Sequence, residues 1–172
     1  MTKPDQTLGS IENLSPRHFL DEFDSGKRPL DQFLKRFALV NQKAGSTKTY
    51  VVCRGPEKVV GYYSLCVGAV ACADTPDRVR KGLANHPVPV MLLARLAIDR
   101  NEQGRGLGRA LLKDALLRTV QAADIAGIRA LLVHAKDEEA RQWYLSLDFE
   151  ASPTDPYHLF LLMKDVRAIL NP

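Results

Sequence analysis

Apolar residues recur along this chain in two periods, and the alternation between them outlines the fold. Thr47 to Cys53 alternates and is β-branched, which predicts a strand. Gly55-Pro56-Glu57-Lys58 reads as a turn, and Val59 to Val70 as the long second strand of a hairpin. Pro89 to Ile98, Arg129 to His134 and Tyr157 to Met163 give three further apolar strands. Helical spacing takes over elsewhere. Ser15-Pro16 supplies an N-cap and a first-turn proline for a helix through Phe19, Leu20 and Phe23, ending near Gly26. A second helix starts at Leu30-Asp31, carries Leu30, Phe33, Leu34, Phe37 and Val40 at 3–4 spacing, and breaks at Gly45-Ser46. The main helix is Leu107 to Ala123, with Leu107, Leu111, Leu112, Ala115 and Leu116 inward. The last is Asp137 to Leu147, N-capped by Asp137 with Glu138 and Glu139 in its first turn. Asp74 to Pro87 is polar, basic and proline-punctuated, a loop with room for a short helical turn. Residues 1–13 read as a flexible lead-in and 14–172 as one α/β domain around a mixed sheet.

Length and composition narrow the class. The 172 residues support one substantial core, and 45% of them are hydrophobic. No apolar run reaches the length of a membrane span, and the polar start has no signal-peptide pattern, so a cytoplasmic protein is expected. Cys53, Cys66 and Cys72 lack metal-ligand spacing and read as reduced thiols; no metal site is expected. The net charge of +4 matters less than its placement. Lys27, Arg28, Lys35 and Arg36 crowd the first third, and Arg78, Arg80 and Lys81 form a second cluster. Such clusters are solvated surface or the footprint of a polyanion.

The chemistry concentrates in Gln103-Gly104-Arg105-Gly106-Leu107-Gly108-Arg109, between an apolar strand and the main helix. Three alternate glycines leave backbone N–H groups uncovered where a helix begins and its dipole is positive, and two arginines add charge. The spacing is neither G-x-x-x-x-G-K-[ST] nor G-x-G-x-x-G, since position 109 is Arg. It matches Q/R-x-x-G-x-G/A, with Gln103, Gly106 and Gly108 in the fixed places, and so resembles the acetyl-CoA loop of the GCN5-related N-acetyltransferases (GNAT).

The resemblance extends from about Leu14 to Met163 and points to one branch. Phe23-Asp24-Ser25-Gly26 with Leu30-Asp31-Gln32-Phe33-Leu34 is similar to the opening of the acetyltransferase toxins of toxin–antitoxin pairs. Val90 to Asp99, with its Arg95-Leu96-Ala97 stretch, resembles their central strand; Leu132 to Lys136, Trp143-Tyr144, Phe149 and Pro153-Thr154-Asp155-Pro156 resemble their last third. Two positions depart: Ser25 replaces the usual Cys, and Asp148 replaces the usual Gly, which implies strain if that residue needs φ > 0.

The resemblance implies a splayed sheet and acetylation of the α-amine of the amino acid on charged tRNA, which stops translation. It also implies a ribbon-helix-helix antitoxin partner and a homodimer. By residue, it implies that the loop 103–109 holds the pyrophosphate of acetyl-CoA and that the backbone of Leu96, Ala97 and Ile98 pairs with the pantetheine amides. Tyr144 is then the acid that protonates the leaving thiolate; no general base is evident, and His134 reads as a packed strand histidine. Arg95, inside an apolar strand, either pairs with a carboxylate such as Asp99 or Asp31 or contacts tRNA phosphate or cofactor. The basic clusters fit tRNA phosphates. Two other functions remain open: acetylation of a small amine or protein N-terminus, and a non-catalytic CoA-binding module.

Overall fold

The structure, a computed structural model, describes residues 7–171. Seven strands form one sheet in the order β1-β2-β3-β4-β5-β7-β6. They are β1 (Glu12–Asn13), β2 (Lys48–Arg54), β3 (Lys58–Val70), β4 (Val88–Ile98), β5 (Ala130–His134), β6 (Glu150–Ala151) and β7 (His158–Leu162). The helices are α1 (Arg28–Gln32), α2 (Ala38–Lys43), α3 (Asp77–Arg80), α4 (Leu107–Ala123), α5 (Glu138–Leu145) and α6 (Met163–Leu170). A π-helical turn, Phe33–Phe37, joins α1 to α2, and a 3₁₀ turn, Cys72–Asp74, precedes α3. The five long strands and the helices α4 and α5 lie where the periodicity places them. The sheet is mixed: β2 runs antiparallel to β1 and β3, β5 and β6 run antiparallel to β7, and β4 runs parallel to β5.

The chain divides into two compact units. The first comprises Met1–Cys66 and Arg95–Ala115, the second Val67–Ala94 and Leu116–Pro172. In the first, Phe23, Leu34, Val51, Val59 and Tyr62 form the core, where Tyr62 packs edge-on against Phe23 at 5.7 Å and donates its hydroxyl hydrogen to Leu30 O at 2.6 Å. Gly61 is fixed by crowding: a Cβ there would lie 3.1 Å from both Leu111 and Val52. In the second unit the core is Val79, Val88, Val90, Ala130, Leu132, Phe160 and Leu162. The parallel register of β4 with β5 runs from Val90 to Leu93, and β4 then continues to Ile98.

Two sequence expectations need correction. The segment after Ser15 is not helical. Ser15 N–H donates to His18 Nδ1 at 2.9 Å, and Phe19 exchanges backbone bonds with Glu57 O (2.8 Å) and Val59 N (3.1 Å) in a parallel bridge to Lys58. A local side-chain acceptor and a waiting sheet edge outcompete the helix. The expected flexible lead-in extends, in part, to residues 1–6, outside the described residues; from there on it is ordered. Gly9 N bonds Cys53 O at 2.9 Å, Leu8 bridges Arg54, and β1 pairs with β2. The short strands β1 and β6 and the helix α6 carry too few residues or too mixed a pattern for periodicity to reveal.

Candidate active site

The glycine loop is held from below by buried carboxylates. Asp99 follows β4 at 5% exposure; its Oδ2 accepts from Asp24 N–H at 3.1 Å and its Oδ1 from Asn101 N–H at 2.9 Å. Arg100 N–H donates to Asp24 O at 2.8 Å. Glu102, also buried, accepts a two-pronged pair from Arg54, Nε at 2.7 Å and Nη2 at 2.8 Å, with Arg105 further out at 3.8 Å. The Arg54 hydrogen bond holds the Glu102 carboxyl below its ordinary range against the opposing effect of burial. Gln103 turns inward: its amide nitrogen donates to Ser25 O at 3.0 Å and to Ile98 O at 2.9 Å. The side chain at the motif's first fixed position therefore fastens the loop, and the cradle itself is backbone.

Gly104 and Gly106 have φ of +79° and +84°, where other residues are strained, and a Cβ at either would meet nothing within 4 Å. Glycine is demanded there by conformation, and the space above it is open to a ligand. The first bond of α4 is Ala110 N–H to Gly106 O at 3.2 Å, so the N–H groups of residues 107–109 precede the intrahelical ladder. Arg105 and Arg109 are exposed beside them, while Leu107 and Leu111 anchor the helix in the core. Residues and space both fit a pyrophosphate. Leu96 and Ile98 are half-buried and Ala97 buried on the part of β4 beyond its register with β5.

The opening motif is the other half of this brace. Ser25 N–H and Oγ–H donate to Asp31 Oδ1 at 3.0 and 2.6 Å, and Gly26 N–H donates to Asp24 Oδ1 at 2.9 Å. Gly26 has φ +83°. Sequence reasoning found the motif but missed its task, and missed Asp99, Glu102 and Arg54 as supports. No spacing rule pairs residues 48 positions apart. The one available signal was a run of polar residues beginning where an apolar strand ends.

Arg95 is exposed, its guanidinium 4.7 Å from the Phe33 ring centroid, a cation–π contact with the π-helical turn. Of the two carboxylates suggested for it, Asp31 accepts from Ser25 and Asp99 from the backbone of Asp24 and Asn101. Of the basic residues, Lys27, Arg28, Lys35 and Arg36 are exposed in the first unit. The second cluster is largely neutralised within its own unit. Arg78 bonds Asp165 at 2.8 and 3.1 Å and Glu150 at 3.0 Å, and Arg80 pairs with Asp77; Lys81 is exposed.

In the second unit Asp137 accepts from Ala140 N–H at 2.8 Å and caps α5, which carries Tyr144. Tyr144 is 5% exposed, edge-on to Trp143 at 4.9 Å and to Phe149 at 5.2 Å. Burial raises its phenol well above the ordinary value, so it carries its proton at neutral pH and can act as a donor. Asp148, just beyond the helix, has φ +69°, the strained position anticipated for it.

One further group, Glu12, His18 and Cys53, brings possible metal ligands together in the first unit. His18 Nδ1 accepts from Ser15 N–H at 2.9 Å, so Nε2 bears the hydrogen and donates to Glu12 at 2.8 Å. Burial pushes the Cys53 thiol up to about 11. Cys53 thus keeps its thiol hydrogen, and the hydrogen-bonded pair of His18 and Glu12 supports the first strand.

Comparison with known proteins places this geometry. Residues 46–151 match the acetyltransferase (GNAT) domain family. A tRNA-acetylating toxin of Mycobacterium tuberculosis is 53% identical over 162 residues, covering 91% of this chain and 96% of its own. A probable toxin TacT of Sinorhizobium fredii is 29% identical over 171 residues, 94% of each chain. Among solved structures, AtaT complexed with acetyl-methionyl-tRNAfMet has a TM-score of 0.89 at 30% identity, over 96% of this chain and 100% of that one. A Tyr-to-Phe mutant of AtaT bound to acetyl-CoA and the C-terminus of the antitoxin AtaR has a TM-score of 0.81 at 29% identity, over 96% and 99%. The chain belongs to the GNAT acetyltransferase family, on the branch of the tRNA-acetylating toxins.

Proposed function

We propose that this protein transfers an acetyl group from acetyl-CoA to the α-amine of the amino acid on charged tRNA and thereby stops translation. The observation that carries the reading is 53% identity, over nearly the whole length of both chains, to a tRNA-acetylating toxin. The residues supply the chemistry. Backbone N–H groups of the loop from Gln103 to Arg109 receive the pyrophosphate, with Arg105 and Arg109 adding charge. The backbone of Leu96, Ala97 and Ile98 pairs with the amides of the pantetheine arm, and one N–H there donates to the thioester oxygen as it gains charge. A C–N bond forms to the amine, the C–S bond breaks, and Tyr144 gives its proton to the departing thiolate. The Tyr-to-Phe change in the AtaT complexes supports that role. Lys27, Arg28, Lys35, Arg36 and Arg95 are the exposed cations for tRNA phosphate, with Lys81 the most available member of the second cluster.

The partners follow the same likeness. AtaT has been solved with the C-terminus of its antitoxin AtaR, which supports an antitoxin partner here; the ribbon-helix-helix type of that antitoxin and a homodimeric toxin follow from the resemblance to the toxin branch alone. No described helix is long and apolar enough to cross a membrane; the tRNA substrate of this reading supports a cytoplasmic protein. The test is to incubate the protein with acetyl-CoA and a panel of charged tRNAs and to weigh the aminoacyl groups. Acetylated aminoacyl-tRNA is expected. Acetylation of only small amines or protein N-termini would transfer the assignment to that reading, and CoA binding without turnover would leave a binding module.

A further inference from the structure

The second unit contains a cavity of about 400 Å³ that the assigned roles leave unused. Its lining includes Asp74, Leu132, His134, Thr154, Asp155 and His158. His134 closes β5 and His158 opens β7, directly opposite in the antiparallel register. Their rings stack at 4.0 Å between centroids with planes 17° apart. His134 is exposed toward this space, and among the described residues no hydrogen bond engages either of its ring nitrogens.

The charges around it are ordered. Asp155 Oδ2 lies 3.4 Å from His158 Nε2. Asp155 Oδ1 accepts from Tyr157 N–H at 2.9 Å, and Asp74 Oδ1 accepts from Thr154 at 2.8 Å. The charged and titratable groups lining the cavity are therefore two fixed carboxylates and two imidazoles. Two imidazoliums face to face repel. Burial first, and the charge of His158 second, keep His134 below its ordinary value, with Asp155 acting the other way. A neutral imidazole with both nitrogens accessible, in a cavity edged by carboxylates, suits a ligand that arrives as a primary ammonium and must leave its proton behind.

We propose that His134 is the general base of the reaction, taking the proton of the acceptor α-amine in the cavity it shares with His158. The inference rests on the transfer reaction assigned above. The protons balance: an ammonium nitrogen gives its first proton to His134, which passes it to solvent, and then bonds the acetyl carbon; the second proton, released as the C–N bond forms, restores the Tyr144 phenol after Tyr144 has given its own to the sulfur. His134 and Tyr144 belong to consecutive elements of one unit, β5 and the helix capped by Asp137. His158 is a positioning residue that acts through the stack.

The test measures kcat/KM for a charged tRNA against pH in wild type, His134→Gln and His158→Phe, with acetyl-CoA affinity by calorimetry as the check on folding. Loss of the base lowers the rate about 10²-fold or more. His134→Gln is expected to bind acetyl-CoA normally, to lose that factor and to lose the acid limb of the profile. His158→Phe keeps an aromatic stack without the charge, and its acid limb should move to higher pH. Added imidazole should restore part of the rate to His134→Ala, which a purely structural residue would not allow. A wild-type rate and profile in His134→Gln, or no rescue by imidazole, would overturn the proposal. Absence of transfer from the wild-type protein to any charged tRNA is a different failure, one that sinks the substrate reading itself.

Discussion

At the scale of single residues, burial determines what each group can do. Tyr144 lies between Trp143 and Phe149, and its raised phenol holds a proton across the physiological range. Tyr144→Phe removes that proton with almost no change of shape. It should fold and bind acetyl-CoA as wild type while transfer slows about 10²–10⁴-fold; rapid-quench assays on a charged tRNA check this, and unchanged turnover would return Tyr144 to packing. Asp148 illustrates the opposite case, a residue whose backbone works against its side chain. With φ +69° it occupies a region costing an L-residue roughly 1–2 kcal/mol, somewhat less for Asp. Asp148→Gly should relieve about 1 kcal/mol and raise Tm by about 2–4 °C. Calorimetric unfolding is the measurement, and a lower Tm would mean that the Asp side chain makes a compensating contact.

At the scale of elements, the glycine loop owes its shape to two segments distant in sequence. The Phe23–Gly26 turn and the start of α4 are tied together through Asp99, Arg100 and Gln103, and Arg54 reaches in from β2 to Glu102. The Glu102 carboxyl is held below its ordinary 4.5, chiefly by Arg54. A depressed folded value means the unfolded chain binds the proton first. The stabilisation is therefore complete above about pH 4.5 and is lost as pH falls through the lower folded value. Glu102→Gln should lower stability at neutral pH and remove that part of the acid dependence; denaturant titrations from pH 3 to 7 read both. An unaltered pH slope would put the acid sensitivity on another carboxylate. The sequence displayed the loop because glycine spacing and a helix start are local signals. It hid the brace because a hydrogen bond between residues 48 or more apart leaves no periodic trace. The false helix after Ser15 has the same origin. Ser15 has the side chain of an N-cap, but its N–H donates to His18 Nδ1, and Phe19 bonds the edge at Glu57 and Val59.

At the scale of the whole molecule, the net charge of +4 understates the contrast between the basic clusters. Composition could locate Arg78, Arg80 and Lys81 but could not see that Asp165, Glu150 and Asp77 answer two of them. An arginine already bound to carboxylates gains little from a phosphate, because the new contact must first be exchanged for the old. Lys35 and Arg36 lie exposed on the π-helical turn between α1 and α2, where a phosphate displaces only water and counterions. The two clusters should therefore separate experimentally. Lys35→Ala with Arg36→Ala is expected to weaken use of charged tRNA and to reduce the slope of log(kcat/KM) against log[salt] by about 1–2, the loss of one or two phosphate contacts. Arg78→Ala with Arg80→Ala should leave that slope nearly unchanged and lower thermal stability instead. A small amine acceptor, which makes no phosphate contacts, should register neither change. Equal salt slopes in the two double variants would show that the internal ion pairs do not set which cations reach the nucleic acid.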